Sequence, residues 1–570
     1  MITRLGMAAF AATAVVSALV AAPAVTATST SSPVTTGDCA VPYPVDEVAS
    51  GDLVTGLTVS RGTTPEGFTG EVLGVVTGGV APGIDMVMVR LTSSEIDRVG
   101  GIWQGMSGSP VYAEDGRLVG AVAYGLAFGP SPVAGVTPFE NMDDYAVAPA
   151  RVDIGAKASR LIAAATDVTA AQAAQGFVQL PVPGGVSGVG ARRMATTHGR
   201  PYLDRHAAVW GPSVSTVAGP ETLVAGGNVA LTVSYGDILM GSVGTVTSTC
   251  GQRVIAFGHR ITFRGEIAAA LNPADAVYIQ EDPVSAPFKV ANPGLPAGTF
   301  TDDHLTGLTG TVGVLPHFFD VTSTVTYDGR ARTGTSHVSD PTQAPAATYY
   351  AIVSNHDLVM DHYGPGTEDT SWTVAGRRPN GKPFTLTLGQ QYLSDEDITY
   401  EASWNIPDLV WFLTRLPGVT LDSLTTTAHV SDDTSVWKLT GVEFRAGGTW
   451  RTVGQDEAVP AKAGRELKLR AILKSGSATR RTPLSILLPA RLAGTTGAVT
   501  LSSGQEGGYP NFEEAGSVSE MLAMAKGAVR TDQVMALVFD RKGGGFRQTV
   551  VSAPLDKQVT WEIYYPLDIR

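Results

Sequence analysis

Two cysteines in 570 residues exclude a disulfide-dense scaffold and a four-thiolate zinc site. Charge is also scarce, at 16% of the chain against about 25% in an average soluble domain. What charge there is leans acidic, 40 basic against 53 acidic side chains, for a formal net charge of −13. Such a balance is ill suited to gripping nucleic-acid phosphates. After the first two dozen residues no stretch is apolar enough to cross a bilayer. There is no phosphate loop, no paired C-x-x-C and no dinucleotide fingerprint. What the chain does hold is apolar material, 43%, and glycine, 66 residues or about 12% against a usual 7% or so. Disorder as the global state is thereby excluded, and the length suggests three to four domains at about 150 residues each.

Residues 1–27 read as an export signal. Arg4 is the basic start, 5–22 is uncharged and rich in Ala and Val, and Ala22-Pro23-Ala24 and Val25-Thr26-Ala27 offer small residues at alternate positions for cleavage. A retained anchor is the alternative, since about 18 apolar residues nearly span a bilayer. The Thr/Ser/Pro-rich stretch 28–37 follows as a flexible leader. The expected location is therefore secreted, extracellular or in the cell envelope, with no membrane span left after cleavage. In that oxidising setting Cys39 and Cys250 are expected to pair, tying the mature N-terminus to the neighbourhood of His259; two unrelated thiols are the alternative.

Short Val/Ile/Thr/Leu runs punctuated by Gly, Pro, Asn and Asp predict a mainly β protein. Strands are expected over 69–76, 85–91, 117–123, 229–235 and 253–257, and later over 347–353, 384–388, 437–444, 466–473 and 559–564. Helices are expected over 159–174, 407–416 and 517–529, the last opened by Ser517 with Glu520 three residues on. The domain reading is a β-rich segment 38–155, a helical connector 156–175, a second β-rich segment 176–330, and a C-terminal region 331–570 of one or two β-sandwiches.

One string carries chemistry. Residues 101–120 read GIWQGMSGSPVYAEDGRLVG. Ser107 sits between small residues on a tight turn, mounted on a hairpin that turns at Asp115-Gly116. Such a turn exposes a hydroxyl and gathers backbone N–H groups for an oxyanion. An ordinary Gly/Ser loop is the plain alternative. The α/β-hydrolase elbow is excluded, because Ser109 stands where that motif needs glycine. A nucleophilic serine needs a base. Of nine histidines, His259 follows an apolar strand and a glycine in Ile255-Ala256-Phe257-Gly258-His259, which suits projection into a cleft; a satisfied structural His is the alternative.

The Ser107 string resembles the nucleophile loop of chymotrypsin-like serine proteases. More closely, GGIWQGMSGSP is similar to the GGIVQGMSGSP of SpoIVB-type serine peptidases, differing only at Trp103. The resemblance implies a chymotrypsin-like double β-barrel over 38–330, with Ser107 as nucleophile and His259, in a string like the family's A-L-G-H-x-I, as general base. It further implies an oxyanion hole from the N–H groups of Gly105 and Ser107. Tyr124, Gly125 and Leu126 would pair with substrate backbone and edge an apolar or small pocket. Two departures stand out. The family's His motif precedes its Ser motif, behind a PDZ domain; here Ser107 comes first and no PDZ-like segment is seen, so the Ser barrel would precede the His barrel. The family's catalytic Asp falls on Thr92. Either a nearby carboxylate substitutes (Asp97 first, then Asp85, Asp237 or Asp275), or the site is a dyad, or catalysis is impaired.

Other clusters are weaker. His356-Asp357 and Asp361-His362 read as a polar β-turn rather than a metal site, and residues 394–397 lack the spacing of a calcium loop. The expectation is thus a secreted serine endopeptidase acting on protein or peptide, with no cofactor, metal or nucleic-acid partner. Its rivals are a catalytically impaired protease-like binding scaffold and an adhesion or carbohydrate-binding β protein.

Overall fold

The computed structural model describes residues 39–142, 151–182, 184–195, 199–204, 215–284, 286–454, 457–504, 509–540 and 545–570. The signal and leader assigned to 1–27 and 28–37 lie outside these. Strands make up 48% and helices 16%, and the fold is mainly β, two closed barrels followed by further sheets.

The first barrel is a ring of six strands, Leu53–Thr58, Glu66–Ala81, Ile84–Thr92, Val133–Pro138, Leu118–Leu126 and Pro110–Ala113, closed by pairing of the last with the first and with its own hairpin partner Leu118–Leu126. Its interior is Val and Leu from alternate strand positions, closed by Ile96, Val99, Ile102, Trp103 and Met106 from the segment between Thr92 and Pro110. The second ring runs Asn228–Gly236, Leu239–Cys250, Arg253–Ala256, Gly307–Val312, Gly298–His304 and Gly265–Gln280, which returns to Asn228–Gly236. The connector is helical, but in two pieces, Ala156–Ala165 and Ala170–Ala173. The reason for the break is local: Thr169 and Gln172 form a reciprocal capping box that starts a new helix.

A strap holds the rings together. Cys39 and Cys250 form a disulfide with a sequence separation of 211, so residue 39 is tied to the end of Leu239–Cys250, the hairpin partner of the Arg253–Ala256 strand that leads to His259. Two and four residues on from Cys39, Val41 O accepts from Leu118 N and Tyr43 N donates to Leu118 O, both 2.9 Å, which fixes the same segment to the first barrel. Leu118, Ala121, Phe139, Met142 and Ile255 form one apolar cluster shared by both rings.

Beyond the rings, the second barrel's sheet does not stop. Asn228–Gly236 pairs with Arg330–Val338, which pairs with Phe319–Tyr327, and the sheet continues through Thr420–Ser431, Gly366–Arg377 and Pro383–Ser394. Residue 330 therefore lies inside a hairpin. Helices Ala344–Met360 and Asn405–Arg415 pack on this extension. The first of these corrects the strand expected over 347–353: AATYYAIV is apolar on every side because the helix is buried all round, and a short apolar run does not distinguish the two. The same helix takes in His356 and Asp357, so they are not a turn. Two five-stranded sheets over 437–569 share a single core and form the C-terminal sandwich. Among the described residues no helix is long and apolar enough to cross a membrane.

Candidate active site

Ser107 and His259 come from different barrels, and the turns that carry them are conformationally special. Gly105 (φ +96°) and Gly108 (φ +98°) flank the serine loop in the left-handed region, where a β-carbon is strained. A β-carbon on Gly108 would lie 1.9 Å from Thr245 O of the second barrel. On the other side Phe257 (φ +69°) and Gly258 (φ +68°) are consecutive left-handed residues immediately before His259. Phe257 tolerates this because its ring is locked in the second barrel's core. Gly258 lies against the first barrel, where a β-carbon would meet Ala121 and Val122 at 3.0–3.1 Å.

These turns bring Ser107 Oγ to 2.9 Å from His259 Nε2, with both side chains buried. His259 Nδ1 lies 2.7 Å from the Arg260 carbonyl, so a ring protonated at Nδ1 donates there and leaves Nε2 to accept from the serine hydroxyl. Gln179 Nε2 donates to the same carbonyl at 2.7 Å and is also 2.7 Å from Nδ1. Burial lowers the His259 pKa to about 4, against a smaller upward pull from the Arg260 carbonyl and the Asp303 charge. The imidazole is therefore held neutral, the form in which it can take a proton.

No carboxylate touches the ring among the described residues. Asp97 is exposed on the helix Ser94–Val99, and the imidazole's polar neighbours are Ser107, Arg260 and Gln179. Thr92 is exposed at the end of its strand. Asp85 accepts from Gly78 N, and Asp237 pairs with Arg332, while Asp275 sits opposite Asn292 in a strand pair. The nearest acidic influence is Asp303, fully buried, which accepts from Ile261 N (2.9 Å), Thr262 N (2.5 Å), Thr262 Oγ1 (2.6 Å) and Phe263 N (2.9 Å). It thus ties down the loop that follows the histidine. Sequence reading missed Asp303, because nothing in Asp302-Asp303-His304 marks which carboxylate turns inward.

The loop ahead of the serine is held from behind. Its Gly105 carbonyl accepts from Thr245 Oγ1 (2.9 Å) and from Lys289 Nζ (3.0 Å). Lys289 is fully buried and also donates to Asn228 Oδ1 at 2.7 Å; burial alone brings its pKa down to about 7. With the carbonyl engaged on one side, the peptide's orientation is fixed. Among the described residues the Gly105 and Ser107 N–H groups meet no backbone or side-chain acceptor. Neither Lys289 nor Asn228 has a sequence signal, beyond a lysine standing between Phe288 and Val290 in the strand Phe288–Pro293.

Tyr124, Gly125 and Leu126 lie on one strand edge beside the nucleophile turn, and that edge is filled by the chain itself: Tyr124 faces Gln179, Gly125 faces Val178 and Leu126 faces Phe177 in antiparallel register. His356 is likewise accounted for, its Nε2 2.9 Å from buried Glu368. Among the described residues no three His, Cys, Asp or Glu side chains cluster as a metal site.

A serine and a neutral histidine meeting between two six-stranded barrels is the arrangement of the chymotrypsin-like serine peptidases. Residues 33–142 match the family model described as SpoIVB peptidase S55, and over that segment the chain is similar to serine peptidases of the SpoIVB kind. The match includes Cys39, Thr92 and Ser107 and ends before His259. No curated protein and no solved structure matches the chain.

Proposed function

We propose that this protein is a secreted serine endopeptidase with Ser107 as nucleophile and His259 as general base. The observation that carries the reading is the 2.9 Å contact between Ser107 Oγ and Nε2 of an imidazole kept neutral by burial. In the reaction Oγ attacks the scissile carbonyl while its proton passes to Nε2. The oxyanion is received by the N–H groups of Gly105 and Ser107. Collapse breaks the C–N bond, the leaving amine takes the proton from Nε2, and water then hydrolyses the acyl-enzyme by the same relay. The cation formed on His259 is stabilised by the Arg260 carbonyl dipole and, at one remove, by the Asp303 charge. Asp97 has no part in this. Pairing of Cys39 with Cys250 supports an oxidising compartment.

A second reading, a protease-like scaffold that binds without cutting, is favoured by the absence of a carboxylate on Nδ1 among the described residues. The two separate on a fluorophosphonate probe. The peptidase reading expects labelling confined to Ser107 and lost in Ser107→Ala and His259→Ala; a folded protein that never labels, under conditions that free the groove, leaves only the scaffold.

A further inference from the structure

The strand Phe177–Gln179 has no place in the first barrel's ring, which closes without it. It extends the free part of the same edge of Leu118–Leu126 that Pro110–Ala113 occupies farther back. Along this edge Val122 N donates to Ser109 O and Gly108 N to Val122 O; the next bonds are Leu180 N to Ala123 O (3.0 Å) and, past the strand, Ala127 N to Gly176 O (3.1 Å). An open strand edge beside a nucleophile is where an extended peptide adds itself by main-chain pairing. Here the peptide is already supplied.

Its side chains alternate as an extended peptide's must. Gln179 reaches the catalytic imidazole. Leu180, one residue on, turns into the barrel, where it is buried against Ile102 and Gly125. A β-carbon on Gly125 would come within 2.8 Å of Leu180 Cδ2, so the glycine makes the room that the leucine fills. The walls are the residues immediately before the nucleophile loop and the strand edge itself. The bond that follows Leu180 leads to Pro181, whose nitrogen carries the ring in place of an N–H, so this position has no donor to offer the groove and a fixed φ. Ser107 and His259 are both fully buried beside this segment.

We propose that residues 177–180 are a pseudo-substrate built into the chain: they fill the substrate groove with Val178, Gln179 and Leu180 at the three positions before the would-be scissile bond. The enzyme is self-occluded until this segment leaves, and its substrates are extended peptides carrying leucine or a similar apolar residue before the cut. The proposal rests on the Ser107/His259 reading.

The test uses the full chain, its Val178→Pro and Leu180→Asp variants, fluorophosphonate labelling and a Phe-Val-Gln-Leu peptide aldehyde. The expected result is labelling of the parent at least about tenfold slower than of either variant, since only the open fraction reacts. The aldehyde should block the variants more strongly than the parent, and a peptide ending in aspartate should not. Should either variant fail to fold, hydrogen exchange on the parent decides: amides of 178–180 should open well before those of 119–122. Equal labelling of parent and variants, equal inhibition, or equal protection would overturn the occlusion and leave the Ser107 reading intact. A new N-terminus at Pro181 would overturn it in favour of self-cutting. No labelling of any folded form would remove the nucleophile itself, and the proposal with it.

Discussion

Lys289 Nζ donates to the carbonyl of Gly105, two residues before Ser107, from a position with no access to solvent. The bond ties the Gly105–Met106 peptide, which lies between the two N–H groups proposed to receive the oxyanion, to a strand of the second barrel's sheet. Replacing Lys289 by Met keeps the length and removes the donor. Ser107 labelling should fall about 10- to 100-fold, on the scale of a disturbed oxyanion site. The thermal midpoint should hold or rise, because burying an ammonium is costly and burying a thioether is not. Midpoint and labelling falling together would make Lys289 a packing residue only.

The two glycines at the barrel contact are unequal. Ala at Gly108 meets backbone at 1.9 Å, whereas Ala at Gly258 meets its neighbours at 3.0 Å and beyond, and both add left-handed strain. Urea unfolding should therefore show Gly108→Ala losing on the order of 2–4 kcal/mol and Gly258→Ala about half that. The reverse order would mean that the barrels yield at Thr245.

His259 titrates at about 4 when buried and at 6.5 when free. The unfolded chain binds the proton first as pH falls, so the folded state loses stability from 6.5 down through 4. Labelling of the opened Leu180→Asp form should likewise rise with pH along a limb at or below 6.5. Asp303→Asn removes a charge that favours the imidazolium, and should move that limb to lower pH. A limb above 6.5 in the parent sequence would mean that a carboxylate reaches the ring.

Reduction of the disulfide frees a 211-residue loop, worth up to about 5 kcal/mol in the chain-entropy account. Since the strap holds both rings, dithiothreitol should lower the thermal midpoint and speed Ser107 labelling in the same titration. An unchanged midpoint would show that the apolar contact around Leu118 and Ile255 suffices alone.

Much of this was legible in residue order. Alternation of Val and Thr against Gly marked most strands, Ser517 and Glu520 marked a helix start that does form (Ser517 Oγ accepts from Glu520 N), and the two strings around Ser107 and His259 are brought together from 152 residues apart. What could not be read was anything fixed only by inward rotation at closure: Asp303 rather than Asp302, a lysine buried among apolar neighbours, and a glutamine beside the imidazole. Asp97 misled for the same reason. Proximity in sequence to Ser107 placed it on a solvent-facing helix. The strand 177–179 is too short and too plain to signal that it belongs to the first ring's edge.

Gln179 is made 80 residues before His259. At 5–20 residues per second that is an interval of about 4–16 s, during which every strand of the first barrel and the segment 177–180 have been made and His259 has not. In order of synthesis, therefore, the segment proposed to fill the groove precedes the histidine proposed to act in it.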